Sequence, residues 1–149
     1  MEIKAYYSLA DKEHWLQEIQ KSDWRAGRWL YELLRGEKLK ALCGQRTEVY
    51  LLTDGRRLAA FCTLAEVDDV RDTDLGPWVG FVYTFPAYRG HRYMGLLLQH
   101  AQAAAKSSGA SRVYISTGET GLYEKYGYAF YGMMKDHNGE DSRVYSIEV

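Results

Sequence analysis

The sequence predicts an α+β protein in which helices flank a mixed, mostly antiparallel central sheet. Asp54-Gly55 lies between two apolar runs, which indicates an antiparallel hairpin. A strand, a glycine-containing loop, a helix and another strand follow one another over residues 78–117. Such a unit requires a parallel strand pair with a right-handed crossover. We expect one domain over residues 1–149, because this length is typical of a single domain.

The composition is that of an ordinary globular chain without a charge bias. Of the 149 residues, 46% are hydrophobic and 26% are charged, and 19 Lys+Arg against 20 Asp+Glu give a net charge of -1. This balance excludes wholesale disorder and provides no basic field for nucleic acid or an anionic membrane. The N-terminal stretch has acidic residues where a signal peptide needs an apolar core, and no apolar run approaches the roughly 20 residues of a membrane span. With only Cys43 and Cys62 as cysteines, the sequence predicts a soluble protein of a reducing compartment, the cytoplasm.

The first 47 residues predict one strand and two helices. Weak alternation suits a strand over residues 3–7. Asp11 and Asp23 are candidate N-caps of two amphipathic helices, and Gly36 is a candidate stop for the second. The mixed polar segment 37–47 predicts a loop.

The middle of the chain predicts three strands. Residues 48–53 and 57–65 form the predicted hairpin, and the acidic segment 66–74 is typical of a loop. Residues 78–85 predict a buried strand that Pro86 ends.

The last third predicts one long helix and the remaining strands. Apolar residues at helical spacing indicate a helix over residues 93–108. Strands follow at 113–117, 128–134 and 143–149, with a short helix at 122–126.

The loop before the long helix is a candidate anion site. Unpaired backbone N–H groups and the positive end of the helix dipole meet there. Arg89, His91 and Arg92 add positive charge, and Gly90 and Gly95 permit close approach of the backbone to a phosphate. The alternative is a solvated turn followed by a helix-packing glycine.

Two known phosphate motifs are excluded for this loop. Gly90 and Gly95 have P-loop spacing, but Leu96-Leu97 stands where Lys and Ser/Thr are needed. The GxGxxG spacing of dinucleotide-binding folds is also absent.

Two segments resemble motifs of the GNAT superfamily of N-acetyltransferases, of the bacterial type. The segment Pro86-Ala-Tyr-Arg-Gly90 resembles the introduction to the family's acetyl-CoA signature, Arg/Gln-x-x-Gly-x-Gly/Ala. Within that signature Arg92 occupies the central Gly position and Met94 the Gly/Ala position. The segment Gly121-Leu-Tyr-Glu-Lys-Tyr-Gly-Tyr128 is similar to the family's later motif.

The resemblance implies a GNAT-like acyl-CoA N-acyltransferase fold and an enzyme that moves an acetyl group from acetyl-CoA to a primary amine. The amine would attack the thioester directly in a ternary complex, without a metal. In such a fold the pantetheine arm of CoA enters between splayed parallel strands, and the CoA pyrophosphate binds the loop before the long helix. The implied cofactor-binding residues are Val82, Tyr83, Thr84, Arg89, Gly90, His91, Arg92, Tyr93, Met94, Gly95 and Leu96.

By the same resemblance, Tyr123 is the general acid that protonates the departing CoA thiolate. A phenol suits this role because its ordinary pKa of about 10 keeps it protonated at neutral pH. Glu66 is the first candidate for the general base; Asp72, Asp74, Asp141 or a water chain are the alternatives. The candidate substrate-binding residues are Trp29, Asp74 and Asp141.

Other interpretations of the sequence stay open. The chain could be a catalytically silent CoA-binding sensor or partner domain, or an acyltransferase for a longer acyl-CoA. Residues 125–131 are rich in aromatics but lack the opening and the basic field of an RNA-binding strand. We expect the acceptor to be a small amine such as a polyamine, an aminoglycoside or an amino-acid derivative, with a protein amine as the alternative.

Overall fold

A computed structural model describes all residues 1–149 and contains one seven-stranded sheet with the strand order β1-β2-β3-β4-β5-β7-β6. Neighbouring strands are antiparallel except for the β4–β5 pair, which is parallel. The predicted mixed sheet and its parallel unit are therefore confirmed. The strands are β1 (Glu2–Ala5), β2 (Glu48–Asp54), β3 (Arg57–Ala65), β4 (Trp78–Thr84), β5 (Arg112–Thr117), β6 (Ala129–Lys135) and β7 (Asp141–Glu148).

Four α-helices accompany the sheet. They are α1 (Lys12–Gln20), α2 (Arg25–Arg35), α3 (Leu39–Cys43) and α4 (Tyr93–Ser107). Short 3-10 helices lie at Tyr6–Ser8, Pro86–Tyr88 and Tyr123–Tyr126. None of the helices has the length and apolar character needed to cross a bilayer.

Three local predictions differ from the structure. Asp11 stands at the N-cap of α1, but its carboxylate pairs with Arg56 at 2.5 Å and caps no backbone N–H. Helix α2 is preceded by Trp24 in extended conformation, so Asp23 lies one residue too early to cap it. The segment predicted as a loop contains α3, which buries Leu39 and Cys43 against the core.

Alternating side chains of the central strands build a core on each face of the sheet. On β2, Val49 and Leu51 pack with α1, α2 and α3, whereas Tyr50 and Leu52 pack with α4 on the other face. This is the period-two alternation expected of a sheet covered on both sides. The two helical layers hold β3 and β4 rigidly at the centre of the molecule.

Candidate functional site

The parallel strands β4 and β5 separate soon after they meet. Only two residue pairs join them, Trp78 with Tyr114 and Val79 with Ile115. From Gly80 onward, the β5-facing edge of β4 has no partner strand. A cavity of about 1490 Å³ opens at this point and extends from the start of α4 to the start of α2. It exceeds the common ligand-pocket range of roughly 300–1,000 Å³, so it can hold a long ligand and a second molecule beside it.

A β-bulge shapes β4 where it lines the cavity. The pairing with β3 slips between Phe61 and Thr63, which face Tyr83 and Gly80 respectively. Phe81 has a φ of +48°, in the left-handed region that a bulky residue rarely adopts. Strain of this kind is held in place by surrounding packing and is common at functional sites.

The other end of the cavity is the loop before α4. Arg89 donates from Nε to the Thr84 carbonyl at 2.9 Å, and its guanidinium lies 5.5 Å from the centre of the Tyr83 ring. Gly90 has a φ of +86°. The free N–H groups of the first turn of α4 and the Arg89 and Arg92 charges therefore meet at this end.

Arg92 adopts the conformation that a glycine would favour. It stands at the N-cap of α4 with φ +58° and ψ 28°, at the position where the family's signature has glycine. Its guanidinium lies 5.3 Å from the centre of the Tyr126 ring. The backbone shape that glycine permits is thus present here without glycine.

Most of the residues predicted to bind a cofactor line this one cavity. Those that do are Val82, Tyr83, Thr84, Arg89, Gly90, Arg92, Tyr93 and Met94. His91 does not, and its ring stacks on Tyr93 at 5.2 Å instead. Gly95 and Leu96 line an adjoining cavity of about 370 Å³ beside Arg92 and Lys125.

Gly95 allows α4 to approach the 3-10 helix Tyr123–Tyr126 closely. A Cβ at this position would lie 2.9 Å from Cε1 of Tyr126, which is closer than real Cβ contacts. The predicted alternative of a helix-packing glycine therefore describes Gly95 well.

Tyr123 lies between the two ends of the cavity. It is only 6% exposed, lines the cavity from the 3-10 helix and packs edge-on against Tyr128 with 6.1 Å between the ring centres. Burial raises the pKa of this phenol, and the nearby Cys62, Tyr128 and acidic side chains act in the same direction. The hydroxyl therefore stays protonated at neutral pH and can donate a proton.

The sequence-predicted base and substrate residues are not brought together. Glu66 does not line the cavity, and its Oε1 pairs with Nε of Arg46 at 3.0 Å. Asp74 is exposed and lies outside the cavity, and Asp141 pairs with Lys135 at 2.6 Å. Of these residues only Trp29 lines the cavity, with its ring 5.7 Å from Phe81.

Three residues that line the cavity near Trp29 were missed by sequence reasoning. Asp68 and Asp69 come from the β3–β4 loop, and His137 comes from the β6–β7 loop. His137 Nδ1 lies 2.6 Å from Asp69 Oδ1, and the His137 ring is 6.3 Å from Trp29. No local sequence pattern predicts that these three residues come together. An acidic run is usually a solvated loop, and His137 lies far from Asp69 along the chain. Across the structure, no group of three or more His, Cys, Asp or Glu side chains is placed to hold a metal ion.

Comparisons with known proteins agree on the family and the fold. No curated protein matches the chain. The aminoglycoside 6'-N-acetyltransferase from Enterococcus faecium superposes with a TM-score of 0.70 at 14% identity, covering 99% of this chain and 97% of that one. RimL, a ribosomal L7/L12 alpha-N-protein acetyltransferase solved with coenzyme A, gives a TM-score of 0.66 at 14% identity and covers 99% and 94%. Residues 10–128 match the sequence model of the Acetyltransferase (GNAT) family. The chain therefore belongs to the GNAT acetyltransferase family.

Proposed function

We propose that this protein is an N-acetyltransferase that moves an acetyl group from acetyl-CoA to the amine of a small molecule. The observation that carries the proposal is the single cavity that joins the cationic start of α4, the open edge of β4 and an aromatic, acidic end. A cytoplasmic location belongs to the same proposal, since both cysteines are unpaired and buried.

The residues present fit the chemical parts of acetyl-CoA. A pyrophosphate suits the start of α4, where free N–H groups, Arg89 and Arg92 lie together. The amides of a pantetheine arm suit the unpaired edge of β4 at Val82 and Thr84. Tyr83, Gly90, Tyr93 and Met94 complete the walls of this half of the cavity. In the same proposal His91, Gly95 and Leu96 contribute from the outer side of the loop, beside the smaller cavity.

The chemistry follows from these positions. The amine nitrogen attacks the thioester carbonyl carbon, and a C–N bond forms while the C–S bond breaks. Tyr123 donates its proton to the departing sulfur, because its buried hydroxyl is protonated and lies in the same cavity. In this proposal a backbone N–H group at the bulge of β4 polarises the carbonyl oxygen, and the irregular pairing there supports this role.

In this proposal the end of the cavity near Trp29 holds the acceptor, and it favours a small amine with an apolar or cationic body. Trp29 and Phe81 provide aromatic faces, and Asp68 and Asp69 provide negative charge. Structural relatives act, by their names, on aminoglycosides or on a ribosomal protein. The aromatic and acidic side chains at this end support the small-molecule class for this chain.

Calorimetry with coenzyme A in the presence of EDTA tests the cofactor half of the proposal. We expect saturable binding by the wild type and weaker binding by Arg89→Glu, because the charge at the start of α4 is reversed. Arg25→Glu is a suitable control, since it reverses an exposed charge at the far end of the same cavity. No binding at millimolar coenzyme A would contradict the proposal.

A further inference from the structure

The bulge of β4 is where the reacting carbonyl would lie. Strand β5 leaves β4 after Val79, and the pairing with β3 slips opposite Phe81. The segment from Gly80 to Val82 therefore lies at the bulge, beyond the last pair with β5, and its residues line the cavity. This placement rests on the proposed acetyl transfer.

The carboxylate of Asp68 packs directly on this segment. A Cβ added at Gly80 would lie 2.3 Å from Asp68 Oδ1 and 2.8 Å from its carboxyl carbon. Only the missing side chain at Gly80 leaves room for the carboxylate over the bulge. Asp68 also lines the cavity, so its carboxyl group is available to a ligand there.

Asp68 differs from the other acidic side chains around it. Glu66 pairs with Arg46, Asp69 pairs with His137, and Asp141 pairs with Lys135. Asp68 forms no ion pair, and Arg71 donates to its backbone carbonyl instead of its carboxylate. A carboxylate held without a cationic partner beside a reactive position is available to accept a proton.

The surroundings of Asp68 set its proton affinity. Burial of the carboxyl group raises its pKa from 3.8 to about 6, and the charge of Asp69 acts in the same direction. The Asp69 backbone N–H, Arg71 and His137 oppose this rise without cancelling it. The negative charge of Asp68 also raises the pKa values of two neighbouring groups. These are Cys43, whose pKa burial raises to about 11, and the protonated Tyr123.

We propose that Asp68 is the general base that takes the proton from the acceptor ammonium at the bulge of β4. The N–H bond breaks, the proton passes to a carboxylate oxygen of Asp68, and the freed nitrogen lone pair forms the C–N bond. The C–S electron pair leaves with the sulfur, which takes the proton of Tyr123. After the attack the nitrogen is still cationic, and its second proton restores Tyr123. Asp68 releases the first proton to water, so each turnover releases one net proton from an ammonium substrate.

The pH dependence of kcat/KM for the amine, at saturating acetyl-CoA, tests this role. The wild type should gain activity as the pH rises through about 6, because Asp68 must be ionised to act. Asp68→Asn should be slower by about 10²–10⁴-fold. Its profile should also lack the rise in activity near pH 6, which is the acidic limb. Asp68→Glu should keep the limb and recover part of the rate. Coenzyme A affinity should stay unchanged in all of them.

Glu32→Gln is the matched control, because it removes one negative charge from an exposed position of α2 outside the cavity. It should keep the wild-type rate and profile. An Asp68→Asn variant with the wild-type rate and limb would overturn the proposal while leaving the acetyl transfer intact. Loss of the limb in Asp69→Asn alone would overturn it in favour of the neighbouring carboxylate. A wild type that binds coenzyme A but transfers to no amine would instead refute the proposed function.

Discussion

At the scale of single residues, burial sets the protonation states of Tyr123 and Asp68. Removing water disfavours the charged form of both groups, so both pKa values rise. The phenol starts near 10 and becomes a firmly protonated donor, whereas the carboxyl group starts near 4 and stays mostly ionised at neutral pH. The same physical cause therefore leaves one group protonated and the other mostly ionised in a single cavity.

Replacing Tyr123 with Phe keeps the packing of the ring and removes the donor. We expect turnover to fall by about 10²–10⁴-fold with little change in acetyl-CoA affinity, because the thiolate forms only during the reaction. Steady-state kinetics and calorimetry measure the two effects separately.

Tyr128→Phe is the control for that change. Tyr128 is equally buried beside Tyr123 but lies outside the cavity, and its hydroxyl accepts a hydrogen bond from Gln102 at 3.0 Å. Its loss should cost about 1 kcal/mol of stability and leave turnover unchanged. Equal activity of Tyr123→Phe and wild type, with chemistry rate-limiting, would remove Tyr123 from the mechanism.

Asp68 should also affect stability in a pH-dependent way. Its folded pKa is raised from 3.8 to about 6, so the stability present below the unfolded pKa is lost as the pH rises through the folded pKa. The stability gained by Asp68→Asn over wild type should therefore be larger at pH 8 than at pH 4.5, by about 2 kcal/mol. Urea unfolding at both pH values measures this difference. A gain that is no larger at pH 8 than at pH 4.5 would contradict the raised pKa.

At the scale of elements, the start of α4 depends on a left-handed residue. Arg92 has a φ of +58°, which costs an L-residue about 1–2 kcal/mol. Arg92→Gly and Arg92→Ala both remove the guanidinium, but only glycine relieves the strain. We expect Arg92→Gly to be more stable than Arg92→Ala by about 1 kcal/mol, measured by urea unfolding. The opposite order would show that the loop has another conformation.

The contact between α4 and the 3-10 helix Tyr123–Tyr126 gives a second expectation at this scale. Gly95→Ala places a Cβ 2.9 Å from Tyr126 Cε1 and pushes the helix that carries Tyr123. The clash should outweigh the better helix propensity of Ala and lower stability by about 1 kcal/mol, with lower turnover. Gly132→Ala meets no atom within 4 Å and should not lower stability in thermal unfolding. A silent Gly95→Ala would contradict the close approach.

Local sequence signals account for most elements but not for the acidic end of the cavity. The hairpin around Asp54-Gly55 and helix α4 follow from turn chemistry and apolar spacing, which act between near neighbours. Helix α3 was missed because its short apolar stretch is fixed by packing against the core. Asp68 was missed because its position depends on Gly80, on a different element. Glu66 and Asp68 are both acidic residues of one segment. Only the folded structure shows that Asp68 lines the cavity whereas Glu66 pairs with Arg46.

At the scale of the whole molecule, strand β4 runs along the cavity between helix α4 and helix α2. Strand β4 contacts helix α4 on one face and α2 on the other, and its bulge faces the cavity between them. Coenzyme A binding should therefore stabilise the whole fold, by about 2.7 kcal/mol at a concentration of 100 times its Kd. Urea unfolding with and without coenzyme A measures this gain, and Arg89→Glu should show less of it at the same concentration. Equal gains in both proteins would place the ligand elsewhere.

The acetyl transfer that we propose for the cavity between β4 and β5 predicts a defined product, an acetylated small amine. The most direct measurement is mass spectrometry of a panel of small amines and short peptides incubated with the protein and acetyl-CoA. We expect at least one small amine to gain a single acetyl group with stoichiometric release of coenzyme A, and Tyr123→Phe to slow that product strongly. Coenzyme A binding without any acetylated amine would refute the proposed acetyl transfer, and acetylation at the same rate in Tyr123→Phe would refute the role of Tyr123.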